Sequence, residues 1–175
     1  MQKHRYRYRV GLGVLLWLGF CLVISVPQGR SGPLDDYTFT FGIWGNGQEE
    51  SRMGREDLIA REGYCPTGGC VLRLDSVTVR PNQARRGDTL LLSTTYTILT
   101  PEQVAMPVAI TREIFCQGKS LGRTKSIESR RLNGTWTQEI DFTLPATAAP
   151  GIYQLITKIS TGYGTAQDRT DFQVD

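Results

Sequence analysis

Histidine is almost missing from this chain of 175 residues: the only one, His4, stands among the first nine positions. Residues 5–175 therefore contain no imidazole, which excludes histidine-based triads and imidazole metal sites there. They also lack a G-x-S-x-G elbow, a P-loop and a dinucleotide fingerprint. Acidic residues are missing from the first thirty positions, which carry five Lys/Arg. Residues 31–175 hold 15 Lys/Arg against 17 Asp/Glu, a net charge of −2. The formal +3 of the chain thus belongs to its N-terminus, and the remainder has no global field to attract phosphate. Nucleic acid is not an expected partner. The carboxylate pairs Asp35/Asp36, Glu49/Glu50 and Glu56/Asp57 lie in polar stretches, with no apolar pocket to separate their pKa values. The expectation is a protein that is not an enzyme and uses no metal or cofactor.

What is present begins with an export pattern. Lys3, His4, Arg5, Arg7 and Arg9 precede 17 uncharged, mostly apolar residues from Val10 to Val26, the layout of a targeting segment. At about 1.5 Å per residue this run reaches the short limit for a hydrocarbon core about 30 Å thick. A cleaved signal peptide and a retained membrane anchor through residues 10–26 both fit. Either way the positive flank stays cytoplasmic, and the remainder lies on the exported side of the inner membrane, periplasmic or extracellular. Cys21 follows the bulky Phe20, so it does not read as a lipidation site.

A Pro/Gly/Ser-rich linker follows to Leu34. Tyr37, Phe39, Phe41 and Ile43 then alternate with smaller residues as one face of a strand, and residues 49–62 suggest a short helix interrupted by Gly54. Cys65 and Cys70 frame a six-residue loop. In an exported chain that spacing reads as a local disulfide, contributing only about 2 kcal/mol, with two free thiols as the alternative. Cys116 reads as a core residue within a strand.

From residue 71 onward the pattern is persistent. Val71–Val79, Thr89–Leu99, Pro107–Cys116, Ser120–Leu132, Thr135–Leu144, Ile152–Thr161 and Thr165–Val174 each alternate apolar with polar residues and end at Pro, Gly or Asn. Asn133-Gly134 predicts a tight hairpin between the fourth and fifth runs. About seven such runs without a helix predict an all-β, Ig-like antiparallel sandwich over residues 71–175. Residues 1–26 are then the signal or anchor, and 27–70 a linker carrying an extra strand, a short helix and the cysteine loop.

Arg86-Gly87-Asp88-Thr89 leading into Leu90–Tyr96, and Leu144-Pro145 followed by Pro150-Gly151-Ile152-Tyr153, resemble recurring phrases of bacterial exported Ig-like and fibronectin-like domains. The resemblance covers roughly residues 71–175 and implies a fold; no functional residue comes with it.

Three short features invite a site. Arg86-Gly87-Asp88 spells an adhesion triplet, yet a Gly-Asp turn before a strand accounts for it. Asn133-Gly134-Thr135 is formally a glycosylation acceptor, which needs a eukaryotic secretory route. Arg123, Lys125, Arg130 and Arg131, with Lys119 nearby, form an anion or partner patch or else the charges that protect an edge strand. The sequence thus predicts a non-enzymatic cell-envelope protein, acting as a binding or structural module on another envelope protein or a surface polymer. A small inhibitor or chaperone-like exported protein is the alternative.

Overall fold

The computed structural model describes residues 41–65, 68–124 and 127–175. The expected signal or anchor, the linker, Tyr37, Phe39 and Lys125 lie outside the described residues. In chain order the elements are β1 (Ile43–Trp44), β2 (Gln48–Met53), α1 (Arg55–Glu62), β3 (Val71–Arg80), β4 (Gln83–Ala84), β5 (Thr89–Leu99), β6 (Met106–Cys116), β7 (Lys119–Arg123), β8 (Ile127–Arg131), β9 (Gly134–Thr143), β10 (Gly151–Thr161) and β11 (Gly164–Val174).

Two-residue alternation sets the long strands. On β5 the apolar Leu90, Leu92, Tyr96 and Ile98 are buried, as are Val108, Ile110 and Ile114 on β6, and Tyr153, Leu155 and Ile159 on β10. Each such strand has one apolar face, and two sheets hide those faces against each other. One sheet runs β1-β9-β5-β3 with β2 also on β9; the other runs β4-β11-β10-β6-β7 with β8 also on β6. The β4–β11 pair is parallel and the other pairings are antiparallel. The protein is an all-β sandwich. A fully buried Leu or Ile at these positions contributes about 1.5–3 kcal/mol over an exposed one.

The structure departs from the sequence reading in several places. Asn133-Gly134 does not turn a hairpin: β8 pairs with β6 and β9 with β5, so the chain crosses here from one sheet to the other. Gly134 is still required, because a Cβ there would stand 2.7 Å from the Met53 carbonyl oxygen. The polar run 120–132 divides into β7 and β8, which share β6 end to end. Among the described residues before 71, β1 and β2 extend the first sheet through β9. Residues 49–53 of the expected helix belong to strand β2; Gly54 does not interrupt α1 but precedes it in an extended conformation, and left-handed Gly63 closes it. Gly42, at φ 81°, breaks the alternation expected from Tyr37. Phe41 and Trp44 pack against the core, while Ile43 is 73% exposed.

A polar layer crosses the sandwich where periodicity alone would place apolar groups. Glu49 of β2 points inward, accepting hydrogen bonds from the Tyr96 hydroxyl and the Arg131 guanidinium. Arg112, fully buried on β6, reaches the opposite sheet through Nη2 to Thr94 Oγ1 at 2.9 Å, while its Nε and Nη1 have no hydrogen-bond partner among the described residues. Burial pushes this guanidinium down to about 10, opposed by the charge of Glu49. Arg131 is held above its ordinary value by its bond to Glu49. One carboxylate therefore balances two cations in a low-dielectric interior. Replacing Glu49→Ala leaves both uncompensated, and breaking such a pair costs about 3–5 kcal/mol. Urea denaturation should show that loss, whereas Glu50→Ala, which removes only an exposed pair with Arg52, should stay within about 0.5 kcal/mol of the parent.

Candidate functional site

The end of the sandwich that carries the crossing at Asn133 also displays apolar groups to solvent. Val104 is 59% exposed, Leu132 54% and Tyr163 48%. They sit on three connections: the β5–β6 loop, the β8–β9 crossing and the β10–β11 hairpin. Side chains exposed on loops normally belong to mobile segments, but here side-chain bonds tie the loops together, and Asn133 holds the β5–β6 loop. Asn133 is buried, and its Oδ1 accepts from the Thr100 amide and hydroxyl, both at 3.1 Å. Its Nδ2 donates to the Thr100 and Glu102 carbonyls at 2.9 and 2.8 Å. The amide thereby uses both its accepting and donating capacity to hold the β5–β6 loop.

Further bonds join the hairpin and β8 to that loop. The Tyr163 hydroxyl donates to the Glu102 carboxylate, and the Tyr163 amide donates to Thr161 Oγ1 at 3.1 Å. Arg130 Nη2 donates to the Ala105 carbonyl at 2.7 Å. The Glu102 carboxylate, and burial after it, hold the Tyr163 phenol above its ordinary value, with Cys70 adding to the effect. Cys70 also raises Tyr64, after the effect of burial, which brings the cysteine loop to this same end. The surface offered is apolar and aromatic, rimmed by Glu102 and Arg130.

The residues expected from the sequence fare unevenly. Cys65 and Cys70 share an exposed loop, but the disulfide expected between them is not formed, as Cys70 is a free cysteine. The loop is closed by backbone instead: Gly68 N–H donates to the Cys65 carbonyl at 2.7 Å, and the Tyr64 hydroxyl to Gly69 O at 2.9 Å. The basic patch is dispersed. Arg123 binds Glu113 at 3.0 and 2.5 Å, Arg130 holds the Ala105 carbonyl, and Arg131 turns inward to Glu49, its guanidinium 5.2 Å over the Trp136 ring. Lys125 lies outside the described residues. In Arg86-Gly87-Asp88 the aspartate accepts from the Arg85 amide at 2.7 Å and Gly87 sits at φ 82°, so the carboxylate is engaged by its own turn. Val104, Glu102, Leu132 and Tyr163 were not singled out by the sequence. A valine among polar residues in Glu102-Gln103-Val104-Ala105, and a tyrosine between the two glycines of a turn, were the available signals.

No protein-family model matches the chain, and no curated protein matches it. Solved structures do. The alkylpurine DNA glycosylase AlkC of Pseudomonas fluorescens, bound to DNA containing an abasic site analog, is 13% identical at a TM-score of 0.45, over 59% of this chain and 30% of that one. A β-glucosidase from Listeria innocua is 13% identical at 0.43, over 62% and 16%. The CARDB domain of a Pyrococcus furiosus protein, in complex with di-metal ions, is 10% identical at 0.42, over 61% and 90%. This chain thus spans under a third of the DNA glycosylase and of the β-glucosidase. The expectation that the protein is not an enzyme is corrected by these findings: a DNA glycosylase and β-glucosidases are among the matches, and an absence of activity does not stand. A sandwich recurs in chains of unlike chemistry, so it neither confers nor forbids catalysis.

Two outcomes follow for this end. Asn133→Ala orphans the buried Thr100 amide, a loss of about 1–3 kcal/mol that equilibrium unfolding should register, with faster hydrogen exchange over residues 100–105. The bond to Glu102 favours neutral Tyr163, so it persists below the ordinary phenol value of about 10 and is lost only as pH rises through the higher folded value. A 13Cζ-tyrosine NMR titration should show Tyr163 ionising late, and Glu102→Gln should bring its midpoint down.

Proposed function

We propose that this protein is an exported, Ig-like binding module of the cell envelope, signal-directed or membrane-anchored through residues 10–26. It holds another envelope protein through the end formed by Val104, Leu132 and Tyr163. One observation carries the reading: three apolar side chains stand in solvent on connections joined to one another by bonds from Asn133, Tyr163 and Arg130. Rigid loops enter a complex without a large ordering cost, since their conformational entropy is already lost. Exposed apolar groups rimmed by polar ones are the usual anatomy of a protein interface. The mechanism is docking onto a preformed end of the sandwich, with Tyr163 as aromatic anchor.

A photo-crosslinking amino acid at Val104 in the full chain, expressed in its own cells, tests this. A discrete protein adduct should form at 104 and not at Lys158, which lies on the outer face of the second sheet. Tyr163→Ala should weaken that adduct while leaving the thermal transition of the protein in place. Adducts of equal strength at both positions, or none at 104, would overturn the reading.

A further inference from the structure

The opposite end of the sandwich holds a cavity of about 500 Å³ between the edges of the two sheets. It is lined by Phe41 and Gly42 from the chain entering β1, by Lys119, Ser120 and Leu121 of β7, and by Pro145 and Thr147; Lys119, Ser120 and Thr147 are exposed and form its mouth. Two of its lining residues pack on the main core. Phe41 stacks on Tyr153 with ring centroids 5.7 Å apart, Tyr153 on Phe172 at 5.3 Å, and Leu121 packs against the same cluster. Gly42 makes this approach feasible, because a Cβ there would lie 2.4 Å from the Phe142 ring. The cavity is thus lined by partly buried side chains that pack on the hydrophobic core, with Tyr153 and Phe172 buried behind them.

Its charge is one-sided. No acidic residue lines it, and Lys119 is exposed and pairs with no carboxylate among the described residues. The nearest acid by bonding, Glu113, is engaged by Ser120 Oγ at 2.6 Å and by Arg123. Although burial pushes the Glu113 carboxyl up, those two bonds outweigh it and hold the group below its ordinary value. It stays ionised and bound to Arg123, leaving Lys119 without a carboxylate partner among the described residues. An apolar cavity of this size with few convergent polar groups is the usual form of a small-ligand site, and a lone ammonium at its rim selects a ligand with one anionic end.

We propose that this cavity binds a long-chain carboxylate, a free fatty acid, with its chain against Phe41, Leu121 and Pro145 and its head at the Lys119 ammonium. A fatty acid bearing a diazirine, applied to cells carrying the full chain, tests the assignment. The probe should label peptides containing Leu121 or Thr147, and excess hexadecanoate should compete the label away. Leu121→Trp fills the cavity and should abolish labelling. Thr147→Trp at the exposed rim should do the same if Leu121→Trp fails to fold. Lys119→Glu should reduce labelling by about tenfold, the worth of one charge-assisted contact, and favour a quaternary-ammonium probe of equal length. Label indifferent to the Trp variants, equal labelling by the ammonium probe in the parent, or no label would overturn the assignment. Stronger labelling by a photoreactive phosphatidylglycerol would replace the free acid with a bilayer lipid and equally overturn it.

Discussion

The carboxylate of Glu49 holds together parts of the chain that sequence distance separates widely. It joins β2 to Tyr96 in the middle of its own sheet and to Arg131 at the edge of the other, and its charge offsets the buried Arg112. Residues on matching rows make this layer: Glu49 and Thr94 both register with Gln138, while Arg112 registers with Thr157. A sandwich closed only by apolar contact tolerates sliding of one sheet over the other. A buried ion pair with fixed donors does not, because any slip leaves a charge unpaired in a medium that cannot solvate it. Glu49 thereby also fixes β2 on β9, and with it the position from which α1 and the cysteine loop depart.

With the sheets locked, the two ends of the sandwich differ in kind. At one, loops bearing Val104, Leu132 and Tyr163 are drawn together by side-chain bonds to backbone, presenting a convex apolar surface. At the other, a cavity lined by Phe41, Leu121 and Pro145 opens beside Lys119. The outer faces offer less. That of the first sheet pairs threonine with threonine across the strands at 2.9 Å, as in Thr95 with Thr137 and Thr97 with Thr135, and buries Leu58 of α1. Its polar groups satisfy one another, leaving little to attract a partner.

The sheet strands beyond residue 70 were legible because each hides one face, so the alternation of Leu90, Leu92 and Tyr96, or of Tyr153, Leu155 and Ile159, appears directly in the sequence. Where the two faces are both polar, the signal fails. Gln48–Met53 carries no apolar alternation, since its inward residue is the charged Glu49, and only tertiary pairing with β9 makes it a strand. The division of residues 120–132 was hidden for the same reason. Arg131 was misplaced because a basic residue in a polar run reads as solvated, whereas here it finds a carboxylate 82 positions away. The candidate site was legible least of all. Its exposed side chains lie in connections, where no periodicity exists, and their rigidity depends on an asparagine whose local sequence argues for a different role.

That asparagine has a chemical lifetime as well as a structural one. An Asn-Gly step on a flexible turn ages readily: the glycine amide nitrogen attacks the side-chain carbonyl carbon, expels ammonia and closes a succinimide that opens to aspartate or isoaspartate. At Asn133 the side chain must first abandon four hydrogen bonds and rotate within a packed interior to meet that nitrogen. The bonds that steady the β5–β6 loop therefore also protect this step from spontaneous deamidation. A sequence-based inspection would mark it as the weakest link of the chain; the fold makes it durable for as long as the two sheets stay closed.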